Sequence, residues 1–346
     1  EDPPVKLKNN FFTEPVEGVV EWYSLPGRHE VDPSAVMAFF YYVLFGMMLS
    51  DAAYGILTVV GSAFALKKFP DMELKMRKTL RMFLFCGIST TVWGVLFGSY
   101  FGDAIPVIAQ TFFHTEITVP ALWFEPLDDP MRLLIFSFGV GVAHLFTGLG
   151  VQFYQLAKQK KYADALYDVV FWYLLVGGLI VVLLSTEIFQ NIAELPFVVP
   201  GPVAAVAGVL AGIGAVGILF TAGRESRNPV KRFLKGLYGL YGVSSYLSDI
   251  LSYSRLLALG LATSVISTVF NQLGAMLGGG VVGAIFFAVV FLIGHSMNMA
   301  INLLGAYVHT NRLQFVEFFG KFYEGGGRAY APFAANTKHF QIKEEK

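Results

Sequence analysis

Long apolar runs separated by short polar loops dominate the chain. Runs long enough to cross a bilayer occur at about 82–102, 131–157, 165–187 and 200–222, followed by two longer ones at about 236–276 and 280–320. As helices, the last two would be roughly 60 Å long at 1.5 Å per residue, against a hydrocarbon layer of roughly 30 Å. We therefore predict an all-α integral membrane protein whose last two helices are tilted or extend beyond the membrane.

The first apolar run, at about 34–66, is too short for two full spans of about 20 residues each. A pair of short helices broken near Gly46, Asp51 and Gly55 would enter and leave the membrane on the same side. One long tilted helix with an external N-terminus is the alternative. We favour the broken pair, in which the N-terminus lies on the same side as the basic segment that follows.

The charge of the loops predicts their orientation. Lys and Arg are concentrated at 67–81, 158–161 and 224–235, which is typical of cytoplasmic loops. The alternate loops are acidic or neutral, which is typical of external ones, and they lie at 103–129, 187–194 and 278–280. Both termini are then cytoplasmic. We divide the chain into a linker from a missing N-terminal domain, a polytopic ion-translocation domain and a C-terminal tail, at 1–33, 34–322 and 323–346.

Composition excludes several classes of protein. The chain is 55% hydrophobic and 14% charged, more apolar than a soluble domain of this length can be. Its formal net charge is zero, so nothing favours binding to nucleic acid. The single cysteine, Cys86, excludes a disulfide framework and a cysteine-based metal site. The sequence has no Walker motif, nucleophile elbow, paired catalytic acids or His/Cys metal spacing, so we predict no catalytic site, cofactor or metal.

Arg255, inside an apolar run, is the most informative single residue. A guanidinium keeps its proton at physiological pH, and placing one near the bilayer centre costs roughly 2.5–3.5 kcal/mol on insertion scales. Such a residue usually faces the protein interior or a water-filled path and has an anionic partner. The apolar runs contain few carboxylates, which favours a partner on another subunit. A structural ion pair within this chain is the alternative.

Polar residues in the run at 280–320 recur at helical spacing. Steps of three and four residues place them on one helical face, and they are His295, Asn298, Asn302, Gly305, His309 and Arg312. The simpler interpretation is hydrogen bonding that joins membrane helices. With an arginine and two histidines on the same face, a path for ions or water is favoured.

The run that contains Arg255 also has polar residues before it. Ser248 and Ser252 are expected on the Arg255 side of the helix. Asp249 lies six residues before Arg255, so the two are not expected to face each other.

Three further polar residues each allow two interpretations. Asp51 either lines a vestibule or caps a broken helix. His144 is more often a packed, hydrogen-bonded histidine than a proton relay. Glu317 either sets a local field or pairs with a partner, or it simply lies near the water interface.

Two Arg-centred motifs carry a family resemblance. Residues 253–262 read YSRLLALGLA and residues 308–323 read VHTNRLQFVEFFGKFY. Together with 46–55 and 141–148, they make the chain similar over nearly all of 30–335 to the membrane half of the stator subunit of V-type and A-type rotary ATPases. That subunit is called a, or I in bacteria.

The resemblance implies about eight membrane helices, the first two short or broken and the last two long and tilted, beside a ring of proteolipid subunits. It also implies two offset half-channels, with Arg255 as the essential arginine and Arg312 as the second one. His309 matches a polar position of the path. Thr263 stands where histidine is usual and Asn302 where glutamate is usual, which suits a bacterial enzyme and leaves Na⁺ and H⁺ open.

The function predicted on this basis is that of a multi-pass, non-catalytic subunit of an ATP-driven ion translocase in the plasma membrane of a bacterium. Its expected partners are the proteolipid rotor ring, peripheral-stalk and central-stalk cap subunits, and membrane lipid. A secondary ion-coupled transporter and a non-transporting membrane scaffold are the alternatives. The former predicts an inverted repeat, which the sequence lacks.

Overall fold

The structure is a computed structural model that describes residues 3–333; residues 1–2 and the end of the predicted tail, 334–346, lie outside it. Within the described residues the chain forms thirteen α-helices. They are α1 Glu17–Tyr23, α2 Ser34–Leu49, α3 Ala52–Lys68, α4 Leu74–Phe97, α5 Ala104–Phe113, α6 Pro130–Lys158, α7 Tyr162–Ala165, α8 Phe171–Ser185, α9 Glu187–Ala193, α10 Gly201–Thr221, α11 Pro229–Ser252, α12 Ser254–Ala275 and α13 Val281–Arg312.

Local sequence signals set several helix ends. The Asp129 and Asn228 side chains accept hydrogen bonds from the first-turn N–H groups of α6 and α11, and each of these helices has proline at its first position. Helix α4 ends at Gly98, which adopts the left-handed conformation with φ of 69° that glycine tolerates best. The polar positions between apolar runs therefore act as helix boundaries.

Six helices or helix combinations within residues 3–333 are long and apolar enough to cross a membrane, which identifies a multi-pass membrane protein. The last two are the longest. Pro229–Ala275 comprises α11 and α12 with a break at Tyr253, and Val281–Lys321 comprises α13 and a continuation in π and 3₁₀ geometry. They contain 47 and 41 residues. The prediction of an all-α fold with two long final helices is confirmed.

Helices α2 and α3 form the broken pair that the sequence favoured. Along α2, Tyr42 packs on Phe85 and Gly46 packs on Trp93, so this helix runs parallel to α4. Along α3, Ala52 approaches Gly94 and Val59 approaches Gly87, so this helix runs in the opposite direction beside the same helix. The chain therefore returns toward the end at which it entered. Both members are shorter than a full span, and six other segments are long enough to cross a membrane, so the expected number of about eight membrane helices stays a prediction.

The N-terminal segment contacts both the basic end of α4 and the residues after the last helix. Glu17 pairs with Lys78 at 2.5 Å, and the predicted linker thus contains a short helix that packs on the membrane domain. The Glu30 carboxylate accepts hydrogen bonds from the N–H groups of Gly27, Glu324 and Gly325 at 2.6–3.2 Å. The N-terminal segment is therefore fastened to the residues that follow the last helix.

Apolar side chains form two buried clusters. The larger one joins α2, α4, α6, α12 and the end of α13, and it contains fully buried aromatic residues such as Tyr41, Tyr253 and Phe318. The smaller one lies between α8 and α10 and contains Leu175, Ala211 and Ile218. The candidate site described next belongs to the larger cluster.

Candidate functional site

The Arg255 guanidinium lies at the start of α12, directly after the break at Tyr253. Its Nη1 atom is 3.7 Å from Oε1 of Glu317, and the two side chains are 25% and 3% exposed. That distance is too long for a hydrogen bond, so the two groups interact as charges. The structure thus supplies an anionic partner within this chain, where the sequence favoured one on another subunit. Nη1 itself is buried without a hydrogen-bond partner, whereas part of the rest of the Arg255 side chain reaches the surface.

A π-helical turn at Leu313–Phe318 carries Glu317. This geometry adds a residue to the turn, so it shifts the face on which the following side chains lie, and it is frequent at functional sites. Glu317 is buried, whereas Arg312, five residues earlier, is exposed. The turn therefore directs the carboxylate toward α12 and leaves Arg312 at the surface.

The residues of the polar stripe from His295 to Asn302 on α13 belong to a buried series of hydrogen-bonded side chains. The Asn302 amide donates to the Asn298 side-chain oxygen at 2.5 Å. The Asn298 amide in turn donates to the Tyr54 hydroxyl and to Ser267 Oγ, both at 2.9 Å, and to the backbone oxygen of Thr263. These side chains come from α3, α12 and α13, so the hydrogen-bonded series links three helices inside the bundle.

The same series of hydrogen bonds continues to the loop between α4 and α5. His295 shares hydrogen bonds with the Tyr54 hydroxyl at 2.6 Å and with Asn271 Oδ1 at 2.7 Å. The Asn271 amide donates to the Asp103 carboxylate at 2.9 Å and to the backbone oxygen of Phe101. An unbroken series of polar side chains therefore leads from Asn302 to Asp103, at the loop between α4 and α5.

Two cavities touch the Asp103 end of this series. One, of about 120 Å³, is also lined by Glu125, Ser264 and Thr268. The other, of about 390 Å³, lies between α5 and the end of α12. Partial burial raises the pKa of Glu125, and the nearby Asp128 carboxylate raises it further. Asp103 thus connects the buried series with space at the surface.

Asp51 is a helix cap. Its carboxylate is fully buried and accepts hydrogen bonds from the N–H groups of Ala53 and Tyr54 at the start of α3. It also accepts from the Ser99 hydroxyl and from the N–H of Gly102. Of the two interpretations left open, the structure has Asp51 joining the α2–α3 turn to the end of α4.

His144 is fully buried between aromatic rings. One ring nitrogen, Nδ1, lies 2.6 Å from the Tyr253 hydroxyl. Its ring stacks on Phe318 and on Phe40, with centroids 4.2 and 4.5 Å away. This arrangement corresponds to the packed, hydrogen-bonded histidine that the sequence favoured.

The remaining predicted residues are distributed over both long helices. Asp249 pairs with Lys321 at 2.5 Å and, as expected, not with Arg255. Ser252 is half-buried and donates to the backbone oxygen of Ser248, which is exposed. Thr263 is buried, and His309 is half-buried. The structure therefore groups His295, Asn298, Asn302 and Thr263 in one network, and Arg255 and Glu317 in a second cluster.

Four residues of the network escaped the sequence analysis, namely Tyr54, Asp103, Ser267 and Asn271. One signal could have identified two of them. Thr263, Ser267 and Asn271 recur every four residues along α12, which is the same periodicity that marked the stripe on α13. Tyr54 and Asp103 have no comparable signal, because their contacts depend on the hairpin and on a loop.

Comparison with known proteins gives a consistent result over the whole chain. The family described as "V-type ATPase 116kDa subunit family" matches residues 243–335. The A-type ATP synthase subunit I of Pyrococcus horikoshii is 34% identical over 348 residues, covering 99% of this chain and 49% of that protein.

Further relatives span archaea and bacteria. The A-type ATP synthase subunit I of Methanocaldococcus jannaschii is 32% identical, over 97% of this chain and 50% of that protein. The V-type ATP synthase subunit I of Chlamydia pneumoniae is 24% identical, over 95% of this chain and 54% of that protein. The chain spans about half the length of the curated relatives it matches. Residues 243–335 thus match the V-type ATPase 116 kDa subunit family, and nearly the whole chain is similar to A-type and V-type ATP synthase subunit I proteins.

Proposed function

We propose that the chain is the membrane part of a stator subunit of a rotary V/A-type ATPase and forms the ion path beside the rotor ring. The observation that carries this proposal is the combination of a partly exposed Arg255 with a buried polar series leading from Asn302 to Asp103. The subunit hydrolyses nothing itself. Its partners are the proteolipid ring, the peripheral-stalk and central-stalk cap subunits, and membrane lipid.

Arg255 acts on a carboxylate of the ring. A ring carboxylate crosses lipid only when a proton or Na⁺ neutralises it, because an uncompensated charge in hydrocarbon is very costly. Next to the guanidinium its charged form is favoured, so the bound ion is released. The fixed charge of Arg255 also repels cations and so prevents direct leakage between the two half-channels. One quarter of its side chain is exposed, which supports contact with a partner.

The buried polar series serves as the external half-channel. It begins at Asp103, in a loop whose charge is typical of the external side, and ends at Asn302 inside the bundle. Neutral amides and hydroxyls can pass a proton along hydrogen bonds or replace part of the water around Na⁺. The half-buried His309 and the exposed Arg312 lie at the opposite end of α13, where the cytoplasmic half-channel opens. Both chain ends are cytoplasmic.

Ion uptake by the whole complex tests this function. We expect ATP-driven uptake of ²²Na⁺ into vesicles, or ATP-driven acidification when Na⁺ is not the ion, and a protonophore distinguishes the two. Arg255→Ala should abolish the transport while the complex still assembles. Arg227→Ala, which changes an exposed arginine in a basic loop, is the matched control. Coupled transport that persists in Arg255→Ala would refute the proposal.

A second experiment separates a channel from a non-transporting scaffold. Replacing Asn298, Asn302 and His309 together by Leu removes the polar path but keeps an apolar helix able to anchor the complex. A scaffold should retain its full function with these substitutions, whereas a channel should lose transport. Assembly measured in the same preparation shows whether the anchoring role survives.

A further inference from the structure

We propose that His144 is a positioning residue that holds Arg255 and Glu317 opposite each other by contacting Tyr253, two residues before Arg255, and Phe318, directly after Glu317. This inference rests on the proposed function, because it gives the Arg255–Glu317 arrangement its importance. It assigns a role to the segment 141–148, which carries no group exposed to an ion path.

The first contact fixes the start of α12. The His144 Nδ1 atom is 2.6 Å from the hydroxyl of Tyr253, a fully buried residue at the break between α11 and α12. The N–H of Tyr253 bonds to the oxygen of Ile250, and its oxygen accepts from Leu256, both over three residues rather than four. The break is thus a tightened turn. Holding Tyr253 sets the direction in which α12 leaves this turn, and Arg255 follows two residues later.

The second contact fixes the π-helical turn. The His144 ring stacks on Phe318 with centroids 4.2 Å apart and planes at 16°. Phe318 is fully buried and directly follows Glu317. Phe40 of α2 also contacts the imidazole, with centroids 4.5 Å apart, and lies 6.4 Å from Phe318, so the three rings pack against one another. The His144 side chain therefore contacts both Tyr253, close to Arg255, and Phe318, next to Glu317.

Two glycines on the same face of α6 make these contacts possible. A Cβ atom at Gly141 would lie 2.6 Å from ring carbons of Tyr253, and one at Gly148 would lie 3.3 Å from the ring of Phe318. Gly141 and Gly148 lie three residues before and four residues after His144, which is the spacing of one helical face. The three residues form a groove into which the two aromatic residues fit.

The central experiment compares His144→Phe with Tyr253→Phe in the assembled complex. His144→Phe keeps an aromatic ring in contact with Phe40 and Phe318 but removes the hydrogen bond, and Tyr253→Phe removes only the hydroxyl. We expect each to lower the number of ions taken up per ATP hydrolysed by about fivefold, the factor that a typical buried hydrogen bond corresponds to. The double variant should be no worse than either single one, because both remove the same interaction.

Controls separate positioning from a general loss of packing. Tyr42→Phe removes a buried tyrosine's hydrogen bond to the backbone oxygen of Phe12, remote from Arg255, and should leave the ion-to-ATP ratio unchanged. Gly141→Ala should lower the ratio by pushing Tyr253 away. Gly139→Ala, on the same helix with open space around its Cβ, should not.

The outcomes distinguish this proposal from the proposed function. If Arg255→Ala abolishes transport but His144→Phe, Tyr253→Phe and Gly141→Ala match their controls, the positioning role alone is overturned. If Arg255→Ala transports normally, the proposed function fails and the positioning role fails with it. A reduced ratio in all three variants, with normal amounts of assembled complex, supports the role of His144.

Discussion

Oε1 of Glu317 lies 3.7 Å from Nη1 of Arg255, a separation at which the charges attract but no hydrogen bond forms. The Glu317 side chain is 3% exposed and the Arg255 side chain 25% exposed, so the pair lies at the edge of the protein interior with its carboxylate on the inner side. A carboxylate arriving from a partner would compete with Glu317 rather than meet an unpaired cation. The chain thus supplies its own counter-charge for Arg255.

Replacing Glu317 by Gln should destabilise the fold, because Arg255 loses its anionic partner. Removing one partner of a fully buried pair costs about 3–5 kcal/mol, and we expect about 1–3 kcal/mol here because water screens part of the guanidinium. The unfolding temperature in detergent measures the effect. Glu324→Gln, at an exposed position of the tail, is the matched control. Equal unfolding temperatures for the two variants would contradict the importance of this ion pair.

Tyr54→Phe should weaken the buried polar series. The hydroxyl contacts His295, Asn298 and Ser267. Asn298 and Ser267 remain bonded to each other, so removal of the hydroxyl leaves Nδ1 of His295 without its partner, at a cost of about 1–3 kcal/mol. We expect a lower unfolding temperature together with slower ion transport. Tyr173→Phe removes the hydrogen bond to the backbone oxygen of Phe146, outside the series, and should affect stability without affecting transport. Unchanged transport in Tyr54→Phe would contradict the assignment of the half-channel.

Gly94→Ala should disrupt the packing of the α2–α3 hairpin on α4. A Cβ at this position would overlap the backbone of Ala52, directly after the Asp51 cap, and backbone cannot move aside as a side chain can. We expect a large loss of thermal stability, of the size seen when a core is overpacked, about 1–3 kcal/mol or more. Gly61→Ala in α3, with open space around its Cβ, should cause no loss. A normal unfolding temperature for Gly94→Ala would contradict this arrangement of the hairpin.

Glu125 predicts a pH dependence. Its pKa is raised above the ordinary value of 4.5, so the folded chain binds the proton more tightly than the unfolded chain does. The protonated Glu125 side chain therefore favours the folded state. Its contribution to the free energy of unfolding is fully present below about pH 4.5 and is lost as the pH rises through the raised pKa. Relative to Glu125→Gln, the wild-type protein should therefore become less stable as the pH rises through this window. Melting curves at several pH values check this, with Glu116→Gln in the same exposed loop as control.

The sequence predicted the helices and the first break because both leave local patterns. Apolar runs predicted the spans, and a cluster of small and polar residues around Asp51 predicted the short pair, whose cap the structure then identified. The three- and four-residue spacing also predicted that His295, Asn298 and Asn302 would act together. Each of these properties depends on residues close in the chain.

The partners of the key residues could not be predicted in the same way. Glu317 faces Arg255 only because a π-helical turn changes the face of the helix, and ordinary helical periodicity does not show such a turn. Tyr54 meets His295 across 241 residues, and Asp103 meets Asn271 across 168. Contacts between residues so far apart in the sequence depend on how the helices pack, and the local patterns of one sequence do not show that packing.

The hydrogen bonds that Glu30 accepts from the N–H groups of Glu324 and Gly325 have a mechanical consequence. They fasten the N-terminal segment to the chain seven and eight residues beyond Glu317. A force on the segment before α2 is therefore transmitted through these hydrogen bonds to the C-terminal end of the last helix, by contacts within the protein. If this helix faces a rotor, as we propose, a force on it would reach the N-terminal segment by the same route.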